Sequence, residues 1–121
     1  MPWAIDFHPA FKAEFDDLSP KVQDALLAVL VALRERGPAV GRPDVDTLND
    51  SAFANMKELR FRANRGVWRV AFAFDPERRG ILLVAGDKAG VSEPKFYKRL
   101  IAKADARFAE HLKHLKLKER P

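Results

Sequence analysis

Hydrophobic positions follow successive patterns along the chain. Residues 3–7 alternate between apolar and polar side chains, and residues 9–36 carry apolar side chains at helical spacing. Residues 56–85 alternate again or run continuously apolar, and residues 93–115 return to helical spacing. Alternation indicates strands, whereas a period of three to four residues indicates helices that bury one face. The patterns therefore predict a mixture of helices and strands.

The first part of the chain predicts a short strand followed by a helical hairpin. His8 ends the strand and is expected to cap or pack at the start of the first helix. Ser19 is expected to cap the second helix, with Pro20 at a first position where no amide donor is needed. Gly37 ends this helix. The buried face of the first helix is expected to carry Phe11, Phe15 and Leu18.

Residues 37–55 are rich in glycine, proline, aspartate and asparagine, and they predict a long loop. Loops of this length within compact domains are often functional or mobile. The acids of this loop could hold a cation, but the favoured interpretation is that they are solvated charges. These acids are Asp44, Asp46 and Asp50.

Three strands are predicted after the loop. The first places Arg60 and Arg62 on one face and Lys57 on the other. The second places Trp68 with other large side chains on one face, which we expect to be the core side. Arg69 lies on the opposite face beside small alanines, and this face is expected to be shallow and open. The third strand, residues 81–85, is continuously apolar, as in central strands that are buried on both faces.

The order of these elements is β-α-α-β-β-β-α. Because the three later strands are close in sequence, an antiparallel meander is their simplest arrangement. We therefore predict an α+β fold for residues 1–121 as one domain, in which a helical hairpin and a C-terminal helix pack on a small twisted antiparallel sheet.

Charge and composition narrow the classes of function. The chain of 121 residues has a formal net charge of +5, but residues 1–50 carry five basic and nine acidic side chains. Residues 51–121 carry seventeen basic and eight acidic side chains, which suggests an anionic partner, most often nucleic acid. A solvated basic surface is the alternative. The absence of cysteine excludes disulfides and cysteine-ligated metals. No targeting segment or membrane-spanning run is visible, so a cytoplasmic location is expected.

Basic side chains on the predicted strands form the candidate site. Guanidinium groups on rigid strands above small neighbours can cradle phosphate, and Arg60 and Arg69 are placed in this way. Lys88 follows the third strand and can reach the same cradle, and Tyr97 offers a phenol near the start of the last helix. Simpler alternatives remain open, since Arg60 could pair with Glu58 and Tyr97 could belong to the core. Nucleotide-binding glycine motifs and acidic two-metal clusters are absent from the sequence.

Several short motifs in this order and spacing resemble a known superfamily. They are GRPDVDTL at 41–48, MKELRF at 56–61, VWRVAF at 67–72, ILLVAGDKAG at 81–90 and EPKFYKRLIAKADARF at 93–108. The sequence resembles the RelE/ParE superfamily of toxin–antitoxin toxins, and within it the HigB-type, phage-derived addiction-module killer proteins. The resemblance spans nearly the whole chain.

The resemblance implies a RelE-like fold and a ribosome-dependent endoribonuclease that cleaves translated mRNA without a metal or cofactor. In such enzymes the RNA 2′-OH attacks the adjacent phosphate, and basic groups stabilise the developing charge. Arg69 matches the arginine that holds the scissile phosphate, and the other catalytic candidates are Arg60, Lys88, Tyr97 and Lys57. Candidate RNA-binding residues are Arg62, Arg65, Lys95, Lys98 and Arg99.

Two features of the sequence depart from this pattern. Many relatives carry a second basic residue after the position of Lys88, where this chain has Ala89, and the C-terminal helix is longer than in short relatives. Separately, Lys57 and Arg60 should point to opposite faces of a regular strand, so both can serve only if the strand contains a bulge.

A toxin of this kind implies partners. The resemblance implies a cognate antitoxin, expected to be a helix-turn-helix DNA-binding protein, together with mRNA on the ribosome. Two other functions stay open. One is a ParE-like DNA gyrase poison with the same fold, and the other is a non-catalytic module that binds nucleic acid or protein. The second would fit a site whose basic residues are all paired internally.

Overall fold

The computed structural model describes residues 2–118, which form five strands and three helices. A single 3₁₀ turn, Gly37–Ala39, follows the second helix. None of the helices in this described part is long and apolar enough to cross a bilayer. In chain order the elements are β1 (Ala4–Phe7), α1 (Pro9–Asp16), α2 (Pro20–Arg36), β2 (Val45–Thr47), β3 (Lys57–Ala63), β4 (Gly66–Phe74), β5 (Arg79–Asp87) and α3 (Glu93–Lys118).

The strands form one mixed sheet in the order β1-β5-β4-β3-β2. The antiparallel meander of β3, β4 and β5 is confirmed, and the apolar β5 lies between two neighbouring strands as expected. The expectation of a purely antiparallel sheet is wrong, because β1 pairs parallel with β5. This pairing joins segments that are far apart in sequence, so the local hydrophobic pattern carries no sign of it.

The predicted long loop contains a strand. β2 adds antiparallel to the outer edge of β3, where Val45 pairs with Leu59 and Thr47 pairs with Lys57. Val45 is buried in the core and anchors this edge. With only three residues among prolines and aspartates, β2 is too short for its alternation to be recognised.

Different helices cover the two faces of the sheet. α1 and α2 pack on the face that carries the large side chains, which confirms this face as a core side. α3 packs on the other face, where Ala71 and Ala73 are fully buried. The expectation that the small-residue face is open is therefore wrong. Small side chains there allow the backbone of a helix to approach the sheet closely.

The expected helix starts are confirmed. The buried His8 accepts a hydrogen bond at Nδ1 from the Ala10 amide at 3.1 Å, and Ser19 Oγ accepts one from the Val22 amide at 3.4 Å. Leu18, expected on the first helix, lies beyond its end.

His8 joins the start of α1 to the C-terminal half of α3. Its Nε2 lies 3.2 Å from the Glu110 carboxylate, while Arg107 and His111 also face the ring. Burial lowers the pKa of His8, and this effect outweighs the attraction of Glu110. The folded chain therefore binds a proton at His8 less tightly than the unfolded chain does, so stability falls as the pH drops through the ordinary range of histidine.

We expect His8→Asn to make folding stability less dependent on pH. Asparagine keeps an oxygen acceptor for the Ala10 amide but cannot titrate. The free energy of unfolding, measured by urea denaturation from about pH 7.5 to about pH 5.5, should fall less for this variant than for the wild type. His114→Asn, at an exposed position, should retain the wild-type slope. Equal slopes for all three proteins would contradict a neutral, buried His8.

Candidate active site

A buried carboxylate lies at the centre of the candidate site. Glu58 on β3 is 3% exposed, and its neighbour across β4 is the small Ala71, which leaves room beneath α3. The hydroxyl of Tyr97 donates a hydrogen bond to Glu58 Oε1. Arg60 Nη2 donates to Oε2 at 3.2 Å, and Arg69 Nε lies 3.3 Å from Oε1. These contacts supply the partners without which burial of a carboxylate is unfavourable.

The two arginines are direct neighbours across the sheet. Arg60 on β3 pairs in register with Arg69 on β4. Like charges directly opposite one another destabilise a strand pair. Glu58 lies on the same face, two residues before Arg60, and its carboxylate contacts both guanidinium groups. Its hydrogen bond to Arg60 raises the pKa of that guanidinium.

Arg69 is nearly enclosed rather than open to solvent, which corrects the expectation from its small neighbours. Its side chain is 12% exposed. Nε donates to the Tyr97 hydroxyl at 2.8 Å, and Nη1 donates to the Val67 carbonyl at 3.2 Å. The rings of Phe96 and Tyr97 lie 5.7 and 5.8 Å from its guanidinium carbon. The first turn of α3 therefore covers Arg69.

Gly86 allows α3 to take this position. It pairs with Arg69 across the sheet, and a Cβ atom at Gly86 would lie 2.9 Å from the ring of Phe96. The absence of a side chain thus lets Phe96 pack onto the strand and brings Tyr97 over the site. Burial raises the pKa of the Tyr97 phenol, and the hydrogen bond to Glu58 raises it further. Tyr97 therefore keeps its proton at neutral pH and can act as a donor.

Two depressions flank this cluster. The larger, with a volume of about 800 Å³, lies between residues 46–50 and α3, and Glu58, Arg60 and Tyr97 line it. We call it the β2–α3 cleft. The smaller, with a volume of about 430 Å³, lies at the ends of β4 and β5, where Arg69 and Lys88 line it.

The structure brings four of the five catalytic candidates to this region and separates the fifth. Arg60, Arg69 and Tyr97 meet at Glu58, and Lys88 borders the same depression as Arg69. Lys57 lies on the opposite face of β3, because the β3–β4 register is continuous and contains no bulge.

The RNA-binding candidates are all exposed. They are Arg62 on β3, Arg65 in the turn that follows, and Lys95, Lys98 and Arg99 on α3. Lys98 borders the β2–α3 cleft, and Arg99 borders a separate shallow depression next to β5. Within residues 2–118, no group of three or more histidine, aspartate or glutamate side chains is placed to hold a metal ion.

Sequence reasoning treated Glu58 only as a pairing partner and treated Asp46 as a solvated charge. Asp46 in fact lies on β2 with its carboxylate 3.2 Å from Arg42 and 3.8 Å from Arg60, and the Thr47 amide lowers its pKa. The shared face of Glu58 and Arg60 is visible from strand alternation. The burial of Glu58 is not visible in the sequence, since it depends on α3.

Comparison with known proteins identifies the family. The model of the family described as phage derived protein Gp49-like (DUF891) matches residues 13–109. The chain belongs to this Gp49-like family. It is 41% identical over 111 residues to the putative toxin HigB2 of Mycobacterium tuberculosis, covering 91% of this chain and 54% of that protein. It is 49% identical over 104 residues to the putative toxin HigB3 of the same species, covering 86% of this chain and 89% of that protein.

Solved structures show that the fold is that of RelE. A mutant of the E. coli toxin RelE in the free state superposes with a TM-score of 0.60 at 17% identity, covering 85% of this chain and 97% of that one. The archaeal RelE of the RelE–RelB complex from Pyrococcus horikoshii gives a TM-score of 0.54 at 15% identity, covering 75% and 100%. The expected similarity to HigB-type proteins and the expected RelE-like fold are thus confirmed.

We expect Glu58→Ala to destabilise the Gp49-like chain strongly. The substitution leaves two neighbouring guanidinium groups and a phenol without their shared partner. The free energy of unfolding, measured by urea denaturation, should fall by about 3–5 kcal/mol. The matched control is Glu93→Ala at an exposed position, where the change should be within about 0.5 kcal/mol. A similar small loss for both variants would show that Glu58 does not hold the cluster together.

Proposed function

We propose that this chain is the toxin of a type II toxin–antitoxin module and acts in the cytoplasm as an endoribonuclease on translated mRNA. The observation that carries the proposal is the Glu58 cluster, in which a carboxylate, a protonated phenol and two guanidinium groups meet. Relatives with the names HigB2 and HigB3 are putative toxins, which supports the first part. The geometry supports the second, because these groups supply what cleavage by an RNA 2′-OH requires.

In the proposed reaction, the 2′-oxygen forms a bond to the adjacent phosphorus and the bond from phosphorus to the 5′-oxygen breaks. Glu58 takes the proton from the 2′-OH, and Tyr97 gives its proton to the departing 5′-oxygen. The products are a 2′,3′-cyclic phosphate and a 5′-hydroxyl end. After the reaction, the hydrogen bond between Glu58 and Tyr97 allows the proton to return from Glu58 to Tyr97. No metal or cofactor takes part in this scheme.

Arg69 is the proposed phosphate ligand. Its Nε and Nη1 atoms are engaged by Tyr97 and Val67, while its Nη2 makes no hydrogen bond within the described residues. Lys88 adds a second cation at the same depression. A rigid guanidinium held in this way presents donors to the charge that develops on the phosphate oxygens.

We propose that the exposed basic residues bind the ribosome and its mRNA. Lys95 and Arg99 are exposed on α3, and Arg62 and Arg65 are exposed at the β3–β4 turn. Such side chains contact phosphates without reading sequence. A cognate antitoxin, proposed to carry a helix-turn-helix domain, would neutralise the toxin by covering this surface or by blocking its access to the ribosome.

We expect Arg69→Lys to remove cleavage while preserving the fold. Lysine keeps the positive charge near Glu58 but lacks the planar guanidinium. The wild type, induced in a bacterium without antitoxin, should arrest growth and produce new mRNA 5′ ends inside translated frames. Arg69→Lys should reduce the frequency of these ends by about 100-fold. Lys57→Gln is the matched control and should cleave like the wild type, because Lys57 lies on the opposite face.

The same experiment distinguishes the other functions. Growth arrest with intact mRNA and broken DNA would replace the proposal with a gyrase poison. A folded wild-type protein that neither arrests growth nor cuts mRNA would indicate a non-catalytic binding module. The internal pairing of Arg60 and Arg69 with Glu58 makes this module the second candidate. Cleavage retained in Arg69→Lys would contradict the phosphate role of Arg69.

A further inference from the structure

The β2–α3 cleft extends beyond the groups that the proposed reaction uses. One wall is formed by residues 46–50, and the other by the first turns of α3. The apolar side chains along it are Leu48, Pro94, Ile101 and Ala102. Asn49 and Asp50 lie on the first wall, and Lys98 lies on the second. The cleft thus combines apolar surface, hydrogen-bonding groups and a cation next to Glu58.

Polar side chains on both walls of the cleft have no partner within residues 2–118. No hydrogen bond or ion pair there engages the side chains of Asn49, Asp50 or Lys98. Asp46 differs, since its carboxylate contacts Arg42 and Arg60. The free carboxylate of Asp50, the amide of Asn49 and the ammonium of Lys98 are therefore available to a ligand.

The first wall is fixed rather than loose. Asp105 on α3 accepts hydrogen bonds from the Ser51 hydroxyl and, at 2.9 Å, from the Ala52 amide. The ring of Phe53 packs edge-on against Phe108 of the same helix, at a centroid distance of 5.0 Å. These contacts tie the chain directly after Asp50 to α3. The separation of the two walls is thereby set before any ligand enters, which lowers the cost of ordering the site on binding.

We propose that the β2–α3 cleft binds one RNA base that has an amino group on its Watson–Crick edge, and that guanine binds most tightly. This inference rests on the proposed function, in that the base belongs to the RNA that is cut. The apolar walls suit the faces of the ring, and Lys98 with Arg60 suits the flanking phosphate. A carboxylate accepts two hydrogen bonds side by side, and guanine offers adjacent N1–H and N2–H donors.

A nucleotide fits the cleft better than a basic peptide does. Four carboxylates and two cations line the cleft, but Asp46 and Glu58 contact Arg60, and Glu93 contacts Lys88. The charges left unpaired within the described residues are those of Asp50 and Lys98, and a basic peptide would pair with Asp50 but be repelled by Lys98. A nucleotide satisfies both signs, with its phosphate at the cations and its donor edge at the carboxylate. The cleft is also continuous with Glu58 and Tyr97, so a base held there keeps its own phosphate close to the proposed reacting groups.

The test measures binding of trinucleotides by NMR with isotopically labelled protein. The probes carry 2′-O-methyl groups throughout, which prevents cleavage, and they differ only in the central base. Amide signals of residues 48–50 and 97–102 should shift, and the guanine probe should bind at least about five-fold more tightly than the uracil probe. Asp50→Asn should reduce this ratio to near one. Asp44→Asn removes the same charge from an exposed loop position outside the cleft and should leave the ratio unchanged.

Several results would overturn the subsite. These are no saturable binding, equal affinity for all four probes, or shifts confined to residues outside the cleft. Tighter binding of a triarginine peptide at the same amides would assign the cleft to a basic peptide instead. Thermal unfolding of both variants at the wild-type temperature shows that altered binding does not arise from altered folding.

A map of mRNA cuts in cells separates this inference from the proposed function. Wild-type cuts whose flanking base preference is unchanged in Asp50→Asn would leave the endoribonuclease standing and reject the subsite. If the wild type binds guanine selectively but makes no cuts, the subsite stands and the endoribonuclease is rejected. Loss of the preference in Asp50→Asn, with cutting retained, is the result expected from both proposals.

Discussion

The pairing of one buried carboxylate with two facing arginines is the constraint on which the site depends. Arg60 and Arg69 are opposite each other in adjacent strands, an arrangement that would be repulsive alone. Glu58 resolves this repulsion from a position that is itself unfavourable for a charge. The charges of Glu58, Arg60 and Arg69 are therefore each unfavourable alone and are stabilised by one another. α3 completes the arrangement by supplying the Tyr97 hydroxyl.

The small residues of the sheet link this chemistry to the fold. Ala71 and Ala73 make the second face of the sheet shallow, and Gly86 leaves space for the ring of Phe96. α3 can then lie close enough for the Tyr97 hydroxyl to reach Glu58. A larger side chain at Gly86 would displace the first turn of α3. The same residues thus determine the packing of α3 and the geometry of the site.

Features of the fold that depend on residues close in sequence were predicted, and features that depend on distant segments were not. Caps at His8 and Ser19 and the alternation in β3 and β4 depend on neighbours in sequence, and they were predicted correctly. The parallel pairing of β1 with β5 and the added strand β2 depend on distant segments and were missed. The enclosure of Arg69 was missed for the same reason. Small neighbours on a strand indicate either an open surface or a closely packed helix, and only the position of α3 distinguishes them.

The pairing in the free protein also determines how a phosphate can bind in the proposed reaction. The Nε atom of Arg69 contacts Glu58 and Tyr97, and its Nη1 atom donates to the Val67 carbonyl, so Nη2 is the donor left for a phosphate. Arg60 differs, because its Nη2 atom contacts both Glu58 and Asp46, and a phosphate would have to compete with these carboxylates for it. Glu58 thus holds Arg69 in place without occupying the donor that the phosphate would use. This is a physical reason for a carboxylate at the centre of a site that is proposed to bind an anion.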